Sequence, residues 1–354
     1  MSAGSPDGRR VPREMVERFV RDVLTSAGVK TEVARETAEG LVLASLRGVD
    51  SHGIRLLPHY IEELEAGRIN PDPDFDFNKT ASAVGQFDAD HTYGISAGSR
   101  AMDRAMELAM DAGVGHVSVK NSTHNGMMAY FGLKAAREGM IGIATTHTSA
   151  NTRPPNGVRP FFGSNPICVA APMADEDPFC YDAATSAITF NEVRKREDAG
   201  KQLPRDVAAD DGGVPTQSPE EAVQLLPLGG YKGFGLSMVV DMFNGLLSGM
   251  PVGRDVSEMY GEDISNRRNL GHYYAAFRID AFVDVEEFKQ RLQQLAEDVR
   301  NEPRRDEETP NYVPGDPEKD AKDERERKGI PIPDHEREQF EVLANKYDVD
   351  AIGK

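Results

Sequence analysis

Residues 116–149, HVSVKNSTHNGMMAYFGLKAAREGMIGIATTHTS, decide the architecture. The first seven, HVSVKNS, alternate apolar and polar side chains, the two-residue period of a strand with one face buried. Residues 127–139 follow with helical spacing, and 140–149 (MIGIATTHTS) return to strand. Strand, helix and strand at this spacing build an α/β sheet. The polar loop between the first two, Asn121-Ser122-Thr123-His124-Asn125-Gly126, stands where a strand ends, the place at which α/β proteins hold ligands. A histidine there is either a general acid or base working near neutral pH or a turn residue bonded to backbone.

Working outward, residues 11–28 read as an amphipathic helix, with Met15, Phe19 and Val23 recurring every four residues and Ala27-Gly28 ending it. Thr31 is placed to cap a second helix running to Leu46; Gly48 breaks it, and Ser51 can cap a third from His52 to Glu65. INPDPDFDF is a linker or an extended lead-in to strands. ASAVGQFDAD alternates as a strand, and 96–113 is a helix with Ala101, Ala105 and Ala109 on one stripe. On the far side, ICVAAP and PFCYDAAT are two more apolar runs. Residues 194–221 are polar, with Asp210-Asp211-Gly212-Gly213 as a turn. GGYKGFGLSMVVDMFNGLLSGM is a glycine loop opening a helix apolar enough to be expected buried. A strand over 274–283 and helices over 284–300 and 334–349 complete the regular elements. Residues 301–328 are nearly all charged, Pro or Gly, which predicts an extended arm, placed here around a partner subunit.

A chain of 354 residues calls for two or three lobes. Two cysteines, Cys168 and Cys180, are too few for a disulfide scaffold and match no metal-finger spacing; inert core thiols in a reducing cytoplasm are expected. No run of 18 apolar residues predicts a membrane helix, and MSAGSPDGRRVPRE lacks the apolar region of a leader. Net charge is −18, which argues against a nucleic-acid partner. With 28 Arg against 13 Lys, the dispersed acidity fits either a salt-adapted surface or plain solubility.

Four constellations carry chemistry. In Arg47-Gly48-Val49-Asp50-Ser51-His52-Gly53, a helix capped by Ser51 would place His52, Arg55 and His59 on one face. That face either binds a small carboxylate by charge-assisted hydrogen bonds or is simply solvated. The loop of His124 is the second. Gly163-Ser164-Asn165-Pro166 with Asp182-Ala183-Ala184-Thr185-Ser186 is the third; Asp182 can orient a histidine, bond a ribose or an amide, or cap a helix. Leu226-Pro227-Leu228-Gly229-Gly230-Tyr231-Lys232-Gly233-Phe234-Gly235-Leu236 is the fourth: glycines admit a phosphate to the backbone and Lys232 adds a cation, though neither phosphate-loop spacing is present.

RGVDSHG, NSTHNG, FFGSNP, DAATS, LPLGGYKGFGL and RNLGH (268–272), six in order between about Val11 and Gly315, resemble the malate/L-lactate dehydrogenase-like family, which includes ureidoglycolate and sulfolactate dehydrogenases and cyclic imino-acid reductases. The resemblance implies an α/β fold distinct from the Rossmann fold, NAD or NADP as cofactor, and a homodimer. It implies a helical substrate-side lobe over 1–75, joined by a C-terminal helix and arm over 284–354, and an α/β nicotinamide-binding domain over 76–283. His124 would exchange the proton with the substrate oxygen. Ser51 and His52 would form a pair at the substrate, with Tyr60, Arg268 and, on the chain's own reading, Arg55 as further contacts. Thr148, Asp182, Ala183, Ala184, Lys232 and Gly233 would touch the cofactor, Asp182 also supporting the catalytic hydrogen bonds. Two departures concern substrate identity. The arginine that relatives often carry five residues after the serine is Leu56 here, with Arg55 about 100° around a helix from it. Asn125 stands where many relatives have an aromatic. The reaction expected is interconversion of a small 2-hydroxy acid, malate or lactate, with its 2-oxo acid. Ureidoglycolate is the close alternative and a cyclic imine the third. From another class, a metal-dependent hydrolase would use His52, His59 and His124, but H-E-x-x-H spacing is missing and no metal is expected.

Overall fold

The computed structural model describes residues 8–261 and 263–353. The first seven residues of the expected helical lobe, half of the segment read for a leader, and the final lysine lie outside the described residues. Strand β1 (Arg9–Val11) leads into α1 (Arg13–Ser26), which buries Val16, Phe19, Val20, Val23 and Leu24 as one stripe. Helix α2 (Thr31–Leu46) starts one residue before its expected cap takes effect: Lys30 is the N-cap and Thr31 is already helical. It is apolar around most of its circumference and largely buried. The single helix expected from Ser51 is replaced by two 3-10 turns, Asp50–His52 and Ile54–Leu56, before α3 (Leu57–Glu65). Gly53 causes the break. Its backbone is extended, and a Cβ there would lie 2.2 Å from Ser45 Oγ, the atom that accepts the Ile54 N–H at 3.0 Å. Ser51 therefore caps nothing, and His52, Arg55 and His59 do not share a helical face.

The sheet elements follow: hairpin β2 (Asp76–Ala81) and β3 (Val84–Asp88), then α4 (Gly94–Ala112), stopped by left-handed Gly113. Next come β4 (Val114–Ser122), α5 (Ala129–Arg137), β5 (Met140–Thr146), β6 (Ile167–Ala171) and β7 (Phe179–Ala183). The polar stretch after β7 is more ordered than its composition suggests: α6 (Phe190–Asp198) is capped by Thr189 Oγ1, and β8 (Ala208–Ala209), β9 (Pro215–Thr216) and β10 (Gln224–Leu225) form a small sheet around Val193, Leu203 and Leu225. Helix α7 (Tyr231–Asp241) runs on through a π turn, Met242–Leu246. Then come β11 (Leu270–Arg278), α8 (Val285–Asn301), α9 (Asp316–Lys328), β12 (Ile330–Ile332) and α10 (Asp334–Tyr347).

The seven-stranded sheet has the order β2-β3-β4-β11-β5-β6-β7, and among the described residues its only parallel pair is β3–β4. β11, arriving from far along the chain, inserts between β4 and β5 and is antiparallel to both. The sheet is thus mixed α/β without the all-parallel Rossmann order. One core joins α1–α3 with β12 and α10, and a second lies between α4, α5 and the sheet.

Two expectations are corrected. Residues 316–328, expected in an extended arm, are helical: charges four apart pair (Lys322–Glu326, Lys328–Glu324), and Arg325 grips Asp50 of its own chain. The apolar helix after the glycine loop buries only one side; Met238, Val239, Met242, Leu246 and Leu247 remain exposed.

Candidate active site

Two pinned loops bring the first two constellations together. At the end of β4 the chain turns through Asn121 in the left-handed region (φ 52°). Thr123 Oγ1 donates to Thr92 O (3.0 Å) and accepts from Gly94 N (3.1 Å), while the Thr123 carbonyl lies 3.2 Å from His272 Nε2. His272 is itself buried and bonded to Thr146 at 2.8 Å, so the late RNLGH motif acts by holding the His124 loop. Gly271 is required there: a Cβ would lie 1.8 Å from Asn244 O. Asn125 turns inward and donates to Tyr274 at 3.1 Å; its place in the motif is structural.

His124 Nδ1 is 2.8 Å from the Tyr60 hydroxyl, which also lies 3.4 Å from the His124 carbonyl. Tyr60 stacks on Tyr93, whose hydroxyl donates to the Tyr60 carbonyl at 2.9 Å. The His124 ring is nearly parallel to His52, 5.7 Å between centroids. His52 Nδ1 is 2.9 Å from Ser51 Oγ. Among the described residues nothing hydrogen-bonds His124 Nε2. Desolvation, then the nearby His52, Arg268, His59 and His272, push the His124 pKa well below the ordinary 6.5. Desolvation, with Arg55 adding, lowers His52 to about 4. Both rings are neutral at pH 7.

Arg268 is almost wholly buried. Its Nε and Nη2 donate to Ser257 Oγ and O at 3.0 and 2.9 Å, which leaves Nη1 without a partner. His59, beside it in the electrostatics of His124, pairs with Glu63 at 3.5 Å and packs on Tyr260. Among the described residues no group of three His, Cys, Asp or Glu is disposed to hold a metal.

On the other side of His52 opens a cavity of about 660 Å³. Ser51, His52, Gly126, Asp182, Ala183 and Ala184 line it together. Asp182 Oδ2 accepts the Ala129 N–H at 2.7 Å, which places it at the N-terminus of α5. Its carboxyl is reachable from within the cleft but desolvated by the walls. That burial raises its pKa to about 6, against the Ala129 N–H and the Arg47 charge. No hydrogen bond among the described residues joins Asp182 to His124; Tyr60 occupies that position. Thr148 stands one layer back, accepting from Ser164 N at 3.1 Å. Lys232 and Gly233 do not line this cavity: Lys232 is exposed on the first turn of α7, and Gly233 packs against Leu228 O. Arg55 is exposed in a separate hollow with Glu336 and Arg325, though its charge still reaches His52. Three lining features escaped the sequence reading: Arg47, Lys195 on α6, and the turn Val313-Pro314-Gly315. Only Arg47 had a signal, its place in RGVDSHG. The turn is brought in by Cys180 N, which donates to Pro314 O (3.4 Å), from a segment 134 positions later.

With this geometry in hand, residues 11–341 match the family model described as malate/L-lactate dehydrogenase. The chain is 33% identical to a malate dehydrogenase of Pyrococcus horikoshii, over 97% of both chains. It is 33% identical to an NAD(+) ureidoglycolate dehydrogenase of Escherichia coli K12, over 82% of this chain and 83% of that one. The sulfolactate dehydrogenase structure from Methanocaldococcus jannaschii superposes with a TM-score of 0.91 at 30% identity, covering 97% of this chain and 98% of that one. The chain belongs to the malate/L-lactate dehydrogenase family, and its fold is that of the family's malate and sulfolactate dehydrogenases.

Proposed function

We propose that this member of the malate/L-lactate dehydrogenase family interconverts a small 2-hydroxy acid of the malate or lactate type and its 2-oxo acid, using NAD or NADP, with His124 moving the proton. The observation that carries the reading is a neutral imidazole with one nitrogen fixed and the other free. When the Tyr60 hydroxyl donates to the His124 carbonyl, it accepts from Nδ1–H, and the Nε2 lone pair is left as a base. Nε2 takes the hydroxyl proton when the acid is oxidised and returns it to the carbonyl oxygen on reduction. Arg268 Nη1, fixed and unpartnered, receives the substrate carboxylate. That carboxylate offsets the imidazolium formed beside Arg268. Ser51 and His52 close the substrate off from the larger cavity.

The cavity suits a dinucleotide: it holds about 660 Å³, is walled by the small residues Gly126, Ala183 and Ala184, and contains a buried cation without a partner among the described residues. Asp182, Ala183 and Ala184 would hold the cofactor, with Thr148 behind them; bound there, the nicotinamide supplies the hydride acceptor or donor. Ureidoglycolate, itself a 2-hydroxy acid, is the second substrate reading, favoured by the departure at Leu56 and Arg55, since Arg55 lies in a separate hollow. We further infer a homodimer through the apolar face of α7, and work in the reducing cytoplasm, consistent with two free thiols 3.9 Å apart. No helix among the described residues is long and apolar enough to cross a membrane.

The test is absorbance at the reduced-nicotinamide band with NAD or NADP and malate, lactate, ureidoglycolate or sulfolactate. Turnover with one acid should fall about 10²–10⁴-fold in His124→Ala. A loss below tenfold would remove His124 from the proton transfer, and silence across the panel would remove the substrate class.

A further inference from the structure

Arg47 closes helix α2 and lines the large cavity, yet it is only 2% exposed. No hydrogen bond or ion pair among the described residues reaches its guanidinium; Nε and Nη1 are both buried and without partners. Burying an arginine costs several kcal/mol unless something pairs with it, and a cation left this way inside a cavity is explained by an anion that arrives from outside. The neighbouring acids do not fill the role. Asp50 is taken by Arg325, Asp182 by the N-terminus of α5, and Glu318, the third acid lining the cavity, makes no ion pair with Arg47 among the described residues.

The anion's identity follows from where the charge is felt. Arg47 acts on Asp182 and Cys168. The cations acting on His52 and His124 are Arg55 and Arg268 instead. The carboxylate beside the reacting carbon of a small 2-hydroxy acid with its hydroxyl at His124 lies within the field of Arg268, whose charge is felt at His124. A dinucleotide extends through the cavity, and its central diphosphate is its anionic part. Arg in place of Lys suits that group, because the planar guanidinium presents two parallel N–H donors to a phosphate. We propose that Arg47 is the diphosphate anchor of the dinucleotide cofactor, the role that the sequence reading gave to Lys232. The assignment rests on the cofactor reading above.

The experiment uses the full chain and two variants, Arg47→Met and Arg47→Lys. NADH binding is followed by its fluorescence, with displacement by ADP-ribose, which keeps the diphosphate, and by adenosine, which lacks it. Thermal stabilisation by inorganic pyrophosphate is measured in parallel. Arg47→Met should weaken NADH and ADP-ribose about 10- to 100-fold, the worth of a charge-assisted pair. It should abolish the pyrophosphate effect, leave adenosine displacement unchanged, and keep or raise the melting temperature, since an unpaired buried charge is being removed. Arg47→Lys should recover part of the loss. A folded Arg47→Met with unchanged dinucleotide affinity would overturn the anchor while leaving the cofactor reading intact. So would a loss confined to the KM of the acid, which would put the substrate carboxylate on Arg47. A variant that melts well below wild type or fails to fold would make Arg47 a structural residue. Wild-type protein that binds neither NAD(H) nor NADP(H) would overturn the cofactor reading and this assignment with it.

Discussion

At the scale of single residues, a histidine meant to take a proton from an alcohol must be neutral before substrate binds. His124 meets this through its surroundings. It lies against a second imidazole and close to Arg268, with desolvation the largest influence, and all of these disfavour the imidazolium. The sign is therefore fixed: the folded pKa is below 6.5, so the base form persists as pH falls through the ordinary histidine range. For oxidation of lactate, kcat/KM reports the free enzyme. It should stay level from pH 7.5 down through 6.5 and lose activity only below the ordinary histidine range. A limb centred at 6.5 or higher would mean that His124 titrates as an ordinary exposed histidine and that its packing against His52 is not what sets it. How much of this was legible varies by residue. RGVDSHG and NSTHNG stood out from residue type as candidates, each with a bland alternative left open, and only the family resemblance gave their residues roles. The hydrogen bond between Tyr60 and His124 joins positions 64 apart, and the cavity that Arg47 lines is assembled from α5, β7 and the 313–315 turn. Neither is written in local sequence. The face proposed for His52, Arg55 and His59 failed for a local reason: Gly53 fits against Ser45 only in an extended conformation, so the helix on which that face depended begins at Leu57.

At the scale of elements, the FFGSNP motif is a bracket. Asn165 has no exposed surface and sits at φ 36°. Its Oδ1 accepts the Thr148 N–H at 3.1 Å, and its Nδ2 donates to Ser237 O and Asp241 Oδ1, both at 3.0 Å. One side chain thus ties the end of β5 to α7, and Thr148 and Ser164 are positioned by it. Asn165→Ala should cost about 2–4 kcal/mol, because it leaves a buried N–H, a carbonyl and a carboxylate unsatisfied and keeps a non-glycine residue at positive φ. Urea unfolding measures it; a change under 1 kcal/mol would show that water replaces the bracket. Long periodic elements were readable: α1, α4 and α10 lie within a few residues of where hydrophobic spacing puts them, because one buried stripe is enough to define them. The pieces that were not readable have other sources of order. Strands β8, β9 and β10 are two residues each, too short for any period, and are held by Gln224, whose side chain donates to the carbonyls of Val158, Asp210 and Asp211. Helix α9 has no fully buried residue, and its order comes from ion pairs: Lys319 with Glu176, Lys322 with Asp177 and Arg325 with Asp50. Composition alone reads such a segment as disordered, since it scores charge and cannot see where the opposite charges lie.

At the scale of the whole molecule, the question is what covers the exposed face of α7 and its π turn. The sequence predicted a buried helix there from hydrophobicity, and the single chain buries only half of it. The inner half is fully committed: Asn244 bonds Val240 O at 2.7 Å and Thr145 Oγ1 at 3.1 Å, and Gly245 admits Val252 where a Cβ would lie 2.3 Å from it. The outer half presents Met238, Val239, Met242, Phe243, Leu246 and Leu247 on consecutive turns, continuous with an apolar hollow lined by Phe161, Phe162 and Val252. A net charge of −18 keeps copies of the chain apart at long range, and a contiguous apolar face of this kind is the surface proposed above for the dimer. Two copies meeting on this face would bury Leu246 from each side, as a two-fold interface requires. Leu246→Asp would then place one carboxylate per subunit in the apolar centre. It should weaken association about 100-fold or more, a loss typical of leaving a charge buried without a partner. Sedimentation velocity across protein concentration reads the shift from dimer to monomer, and circular dichroism checks that each chain still folds, which it should, because the mutated side chain points away from the core. A wild-type protein that sediments as a monomer at all concentrations, or a variant that stays dimeric, would show that this face is not where two copies meet. If the variant monomer keeps its secondary structure but loses dinucleotide affinity, the α7 face does more than hold two subunits together. It also supports the adjoining Asp241–Asn165–Thr148 bracket on which the cofactor side of the cavity rests.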